Sequence, residues 1–177
     1  MYYTARLLPR EFPKIGVPYE GGIIAHILVV GDPGYDATKI KGLIAAPFIG
    51  NSAWSNIVGI SVTGTSTLLG AGLANTNLII SQPGHINSAA LICKNFRGGG
   101  FSDWYLPSKN ELNKLFLNKA LIGPFGYSWS STESPLPDIG FGAYMQWGDE
   151  YGDVGQNLKS DIFQVRPVRS FTINYTL

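Results

Sequence analysis

The chain contains few charged residues and a single cysteine, Cys93. Of its 177 residues, 13 are Lys or Arg and 12 are Asp or Glu, so charged residues make up 14% of the chain, against about 25% in an average soluble domain. The formal net charge of +1 gives no basic field for neutralising phosphates, which argues against a nucleic-acid-binding protein. One cysteine excludes an internal disulfide, paired-thiol redox chemistry and a zinc site made of several cysteines.

Long hydrophobic runs are also missing. No stretch reaches the roughly 18 consecutive apolar residues of a membrane span. Residues 1–11 lack the apolar segment that marks a signal peptide. We therefore expect a protein that is made in the cytoplasm and does not insert into a membrane.

The common catalytic signatures are absent from the sequence. It lacks a GxxxxGK(S/T) phosphate loop, a GxGxxG dinucleotide motif, an HExxH zinc motif and a GxSxG nucleophile turn. Its two histidines, His26 and His85, leave little capacity for acid–base catalysis near neutral pH. His26 falls in an apolar run that predicts a core or strand-face position, and His85 follows Pro83-Gly84 in a predicted solvated turn. We expect a protein that is not an enzyme and binds no cofactor.

What the chain does have is enough apolar surface for one loop-rich domain. Hydrophobic residues make up 45% of the sequence, which excludes a disordered chain. Its 22 Gly and 11 Pro argue against a helical bundle. Prolines at positions 9, 13 and 18 predict an extended arm or linker over residues 1–18, followed by a single domain at residues 19–177.

The hydrophobic patterns predict an α+β fold. Two apolar, β-branched runs at residues 23–30 and 42–47 predict paired strands. Apolar residues at helical spacing predict helices at 66–80 and 86–96, with Cys93 on a buried face. Ser108-Lys109-Asn110-Glu111 is a capping box that opens another helix, so we expect two or three helices in all. Short segments predict a mostly antiparallel, loop-rich sheet, and they lie at residues 103–107, 127–132, 142–147, 151–158 and 162–171.

An aromatic and polar cluster in the last part of the chain predicts a binding surface. Flat aromatic rings stack on polyol or peptide ligands, while short polar side chains hydrogen-bond to the ligand's rim. The acidic residues between positions 149 and 153 leave a Ca²⁺ site as an alternative, with a solvated hairpin turn as the simpler interpretation. The predicted ligand-binding residues are Tyr144, Trp147, Asp149, Tyr151, Asp153, Gln156 and Asn157.

Three segments resemble a known family. Residues 99–112 (GGFSDWYLPSKNEL), 127–133 (YSWSSTE) and 165–169 (VRPVR) resemble, in the same order, signature segments of the Lcl C-terminal-like domains, a branch of the C-type-lectin-like superfamily. Earlier segments near residues 15–24 and 42–47 are similar to the opening of that family. The resemblance spans residues 15–171 and implies a C-type-lectin-like fold.

The resemblance implies structural roles for most of the signature residues. Its tryptophans are expected in the core, and its serine and first glutamate at the capped helix. Its glutamates and arginines are expected to form partly buried pairs between strands and helix. The calcium-lectin motifs Glu-Pro-Asn and Trp-Asn-Asp are absent, so calcium-dependent sugar binding is not implied. The expected structural residues are Trp104, Ser108, Glu111, Trp129, Glu133, Arg166 and Arg169.

The family also implies a binding function. Relatives occur in bacterial adhesins and in phage tail and virion proteins, as scaffolds that display variable loops. Because no signal peptide is found, we expect a phage virion protein, a tail- or head-fibre tip or a virion surface protein, that recognises a host-surface glycan or protein. The arm at residues 1–18 is expected to contact other virion subunits, and a homotrimer is expected. A bacterial cell-surface adhesin for glycans or matrix polymers and a purely structural virion decoration protein are the alternatives.

Overall fold

A computed structural model describes residues 13–135, 142–146 and 153–174. Over these ranges the chain forms four α-helices and nine strands, and all strand pairings but one are antiparallel. The expected α+β class is confirmed. The described helices outnumber the expected two or three, because a one-turn helix at Lys119–Ile122 directly follows the capped helix.

The strands form two sheets, and the four helices lie between the fourth and the fifth strand in the sequence. The strands are β1 (Pro18–Tyr19), β2 (Gly22–Ile27), β3 (Lys39–Ala45), β4 (Asn51–Ala53), β5 (Ser128–Glu133), β6 (Gly142–Gln146), β7 (Val154–Leu158), β8 (Ile162–Gln164) and β9 (Val168–Asn174). The helices are α1 (Gly72–Ile80), α2 (Ala89–Asn95), α3 (Lys109–Leu117) and α4 (Lys119–Ile122).

The first sheet has the strand order β1-β2-β3-β9. The expected pairing of the two apolar runs is confirmed, since β2 and β3 pair antiparallel with Ile23 opposite Ala45. Gly42 is required in β3, because a Cβ there would collide with the carbonyl oxygen of His26 and approach the ring of Phe171 too closely. β9 pairs with the whole of β3, so β3 lies in the middle of this sheet.

The second sheet has the strand order β4-β8-β5-β6-β7, and among the described strands only β5 and β8 run parallel. The prediction of one strand over residues 162–171 is wrong, because β8 belongs to the second sheet and β9 to the first. Pro167 has no N–H to donate to a ladder, so the chain leaves one sheet there and enters the other. The predicted strand at 103–107 is reduced to one bridge between Tyr105 and Val168.

The core is built around tryptophans. Trp54, Trp104 and Trp129 are fully buried, and a cluster that includes Trp54 and Trp129 joins α1 and α2 to β5 and β6. Cys93 on α2 is fully buried in the same cluster, as predicted. Burial raises the pKa of the Cys93 thiol, which makes it unreactive at neutral pH.

The described part of the predicted arm is joined to the first sheet. The N–H of Gly16 donates to the carbonyl of Ile24 at 2.8 Å, and the N–H of Ile24 donates to the carbonyl of Val17 at 3.0 Å. Pro18–Tyr19 then forms β1 beside β2. Residues 1–12 of the arm lie outside the described residues, so its expected contact with other subunits stays a prediction.

The predicted capping box is confirmed at the start of α3. The Ser108 hydroxyl accepts the N–H of Glu111, and a Glu111 carboxylate oxygen accepts the N–H of Ser108 at 2.7 Å. Glu111 also accepts the N–H of Gly70 at 3.0 Å and the hydroxyl of Tyr105 at 3.2 Å. The fully buried carboxylate therefore joins α3 to the turn before α1 and to the segment that bridges to β9.

Candidate functional site

The structure describes part of the predicted binding surface, and Tyr144 lies at the centre of this part. β6 and β7 pair antiparallel, with Tyr144 directly opposite Gln156. Residues directly opposite each other in an antiparallel pair project from the same face, so the ring and the amide are neighbours. The Nζ atom of Lys109 lies 4.3 Å from the centroid of the Tyr144 ring, within the range of a cation–π interaction.

Lys109 reaches this ring because the start of α3 is attached to β5. It is the first residue of α3, and its N–H donates to the hydroxyl of Thr132 at 3.0 Å. The N–H of Ser131 donates to the carbonyl of Pro107 at 2.7 Å. These two bonds hold the first turn of α3 beside β5, and β6 is the next strand of the sheet.

Hydroxyl groups after and within β5 hold the other groups of this surface. The hydroxyl of Ser134 donates to Oε1 of Gln156 at 2.5 Å. The hydroxyl of Ser130 donates to the carbonyl of Tyr144 at 2.8 Å, which attaches the backbone of β6 to β5. We define the Tyr144 face as the side chains of Lys109, Ser134, Tyr144 and Gln156.

The other predicted ligand-binding residues are not all placed with Tyr144. Asn157 is opposite the fully buried Ala143, so it belongs to the other face of the hairpin. Asp153 is exposed and directly precedes β7. The ranges described contain no group of His, Cys, Asp and Glu side chains that could hold a metal ion. Three predicted ligand-binding residues lie outside the described ranges: Trp147, Asp149 and Tyr151. Most of the acidic segment predicted as an alternative Ca²⁺ site lies outside them too.

Both histidines have partners away from the Tyr144 face. His26 is buried in β2, as predicted, with its Nε2 2.7 Å from a carboxylate oxygen of Asp32, and Nζ of Lys114 lies 3.0 Å from the other oxygen. His85 is half-buried rather than solvated, because its Nε2 lies 2.9 Å from the hydroxyl of Ser88, the N-cap of α2. Burial lowers the pKa of His85.

The residues predicted to be structural are all buried, but the described charges do not pair as expected. Arg169 binds both carboxylate oxygens of Asp103, at 2.7 and 2.9 Å, and an oxygen of Glu20 at 2.5 Å. These pairs differ from the expected ones because the chain crosses between the sheets, which brings the start of β9 beside the segment before α3. The buried structural residues are Trp104, Ser108, Glu111, Trp129, Glu133, Arg166 and Arg169.

Arg166 binds neutral acceptors rather than a carboxylate. Its guanidinium donates to the backbone carbonyls of Ala46, Ile122 and Pro124. Burial lowers the pKa of Arg166, and the three carbonyls lie at or just after the ends of β3 and α4. The guanidinium therefore joins the end of β3 to the end of α4.

Glu133 pairs with a lysine that sequence reasoning missed. Nζ of Lys159 lies 2.5 Å from one carboxylate oxygen of Glu133 and 2.9 Å from the carbonyl of Ile60. The other carboxylate oxygen accepts the N–H of Val62. The ammonium lies 4.9 Å from the ring centroid of Trp54, and the Lys159 side chain is fully buried. A lysine in a polar turn gives no local sign of burial, since its partners are far away in the sequence.

No protein-family model matches the chain, and no curated protein matches it. Among the described helices, none has the length and apolar character that crossing a membrane requires.

Replacing Lys159 with Met should destabilise the domain strongly, because it leaves the carboxylate of Glu133 buried without its cation. Removing one partner of a buried pair costs about 3–5 kcal/mol, and we expect a loss of that order in the free energy of unfolding measured with urea. The double variant Lys159→Met with Glu133→Gln should recover part of the loss, since no charge is then left unpaired. A double variant less stable than the single one would contradict this account.

Acid should weaken the contact between Asp103 and Arg169. The hydrogen bonds from Arg169 hold the pKa of Asp103 below its ordinary value. As the pH falls, Asp103 is therefore protonated in the unfolded chain before it is protonated in the folded protein. The stabilisation is complete above about pH 4 and is lost as the pH falls through the lower pKa of the folded state. Because the Asp103 side chain is 53% exposed, we expect an effect of only about 0.5–1 kcal/mol.

The measurement is urea unfolding of the wild type and of Asp103→Asn over a series of pH values. The Asn variant should be less stable at neutral pH and should lose less stability on acidification. Parallel pH profiles for the two proteins would show that this carboxylate contributes nothing to acid sensitivity.

Proposed function

We propose that this chain is a non-enzymatic binding domain of a phage particle, located at a fibre tip or on the virion surface, where it recognises a host-surface glycan or protein. The three signature segments support a C-type-lectin-like fold for it. The capped helix, the tryptophans and the closing strand of those segments occupy buried positions in an α+β domain. Such an arrangement leaves loops and strand faces free to vary around a fixed interior.

The observation that carries the proposal is the Tyr144 face. An aromatic ring, a planar amide and an ammonium lie together on one face of the second sheet, and hydrogen bonds from Ser130 and Ser134 hold them in position. Aromatic rings with flanking polar groups suit sugars, because the ring packs on apolar C–H faces while the polar groups bind hydroxyls. Trp147, Asp149 and Tyr151 stay predictions for the same function.

Replacing Tyr144 with Ala should abolish most ligand binding. Truncating a central aromatic contact commonly weakens binding by about thirtyfold, corresponding to about 2 kcal/mol. The assay is binding of the purified domain to a glycan array and to a panel of bacterial cells. Tyr35→Ala is the matched control, because Tyr35 is 40% exposed and follows β2 in the other sheet. Equal binding by wild type and Tyr144→Ala would contradict the proposed site.

A structural virion protein is the second candidate. The side chains of Ile60 and Ile86 are 61% and 75% exposed, and Asn56 joins their two loops by accepting the N–H of Ile86 at 2.9 Å. Exposed apolar side chains on adjoining loops favour protein–protein contact. A domain that binds neither glycans nor cells but incorporates into phage particles would support this candidate. A bacterial adhesin would instead bind glycans or matrix polymers and would not incorporate into phage particles.

We also propose a homotrimer, as expected for a domain of a fibre tip. Sedimentation of the purified chain should then give about three times the 19.2 kDa of one subunit. A mass of a single subunit at micromolar concentration would contradict the trimer without affecting the proposed binding function.

A further inference from the structure

Lys109 is a half-buried cation without an anionic partner in the part of the chain that the structure describes. No described carboxylate lies within 4.0 Å of its Nζ, and the Tyr144 ring is its neighbour. Lys114 and Lys159, by contrast, are paired with Asp32 and Glu133. Partial burial of an ammonium is unfavourable unless charge or hydrogen bonds compensate it, and a cation–π contact offsets only part of that cost.

Gln156 offers donors on the same face. Its Oε1 already accepts the hydroxyl of Ser134, which directs the Nε2 amide away from that hydroxyl. No described residue accepts a hydrogen bond from this amide. The open groups around the Tyr144 ring are therefore an ammonium and an amide N–H₂, and both are donors.

The acidic residues nearest in sequence within the described ranges do not pair with Lys109. Glu133, beside Ser134, is paired with Lys159. The carboxylate of Glu111 is buried among Gly70, Tyr105 and Ser108. Asp153 precedes Gln156 by three residues, which places it about 10 Å away along the strand. Among the described residues, the Tyr144 face therefore carries one positive charge, that of Lys109, and no negative charge.

We infer that the ligand of the Tyr144 face is an anionic saccharide, with a carboxylate that accepts hydrogen bonds from Lys109 and Gln156 while its ring contacts Tyr144. The inference rests on the proposed function and names its ligand class. A carboxylate accepts from two donors at once through its two oxygens. A neutral sugar would leave the ammonium without an anion, so it would gain less from Lys109.

The experiment compares saccharides that differ only in charge. Wild-type protein is applied to an array of sialylated and uronic-acid oligosaccharides, their carboxyl-reduced counterparts and sulfated oligosaccharides. The dissociation constant is then measured for the carboxylated glycan that binds and for its reduced form. We expect the reduced form to bind at least about tenfold more weakly, as for loss of a charge-assisted hydrogen bond, and carboxylate binding to weaken as salt is raised.

Lys109→Gln should remove this discrimination and most of the salt dependence. Lys119→Gln is the matched control, because Nζ of Lys119 lies 3.9 Å from the ring centroid of Phe116 and the two variants change the net charge equally. Urea unfolding of Lys109→Gln checks that the variant remains folded. The control should bind the carboxylated glycan like the wild type.

The outcomes separate this inference from the proposed function. Equal binding of neutral and carboxylated glycans, lost in Tyr144→Ala but kept in Lys109→Gln, would overturn the anionic ligand and retain the binding function. Preference for sulfated over carboxylated glycans, or binding to cells through a protein alone, would also overturn the inference. Absence of binding to every glycan and every cell would overturn both.

Discussion

The carboxylate of Glu111 lies fully buried and is bound only by neutral donors among the described residues. Burial raises the pKa of this carboxyl group, because removing a carboxylate from water is costly unless donors surround it. Those donors come from Gly70, before α1, and from Tyr105 and Ser108, in the segment that leads into α3. Both parts of the chain must therefore keep their positions for the carboxylate to remain satisfied, and this requirement fixes the start of α3.

The segment around Glu111 also connects the two sheets. The N–H and carbonyl of Tyr105 both bond to Val168, at 2.9 Å each, in the first sheet. Two residues later the carbonyl of Pro107 accepts the N–H of Ser131 in the second sheet. Lys109 lies two residues after Pro107, so the position of its ammonium over the Tyr144 ring depends on the same segment. A surface feature of the second sheet is in this way supported by buried contacts with the first.

Interactions between residues close in sequence could be predicted, and those between distant residues could not. Ser108 and Glu111 are three residues apart, so their capping box is visible as a pattern. The pairing of β2 with β3 follows from two apolar runs on either side of one loop. Lys159 gave no such sign, because its burial depends on a glutamate and a tryptophan far away along the chain. The residue types of the aromatic and polar cluster predicted Tyr144 as a ligand-binding residue. The position of Lys109 beside the Tyr144 ring could not be predicted, because it depends on how the start of α3 bonds to β5.

The registers of the strands in the first sheet determine how far apart two attachment points on its edges lie. β1 and β9 occupy its two edges and run antiparallel to each other, since each step from β1 through β2 and β3 to β9 reverses direction. The registers place the entry to β1 and the exit from β9 at opposite ends of the sheet, because Pro18 lies level with Val168 at the start of β9 and Asn174 lies opposite Lys39 at the other end of β3. Six residues of strand correspond to about 20 Å, so groups attached at Pro18 and at Asn174 would lie at opposite ends of the first sheet.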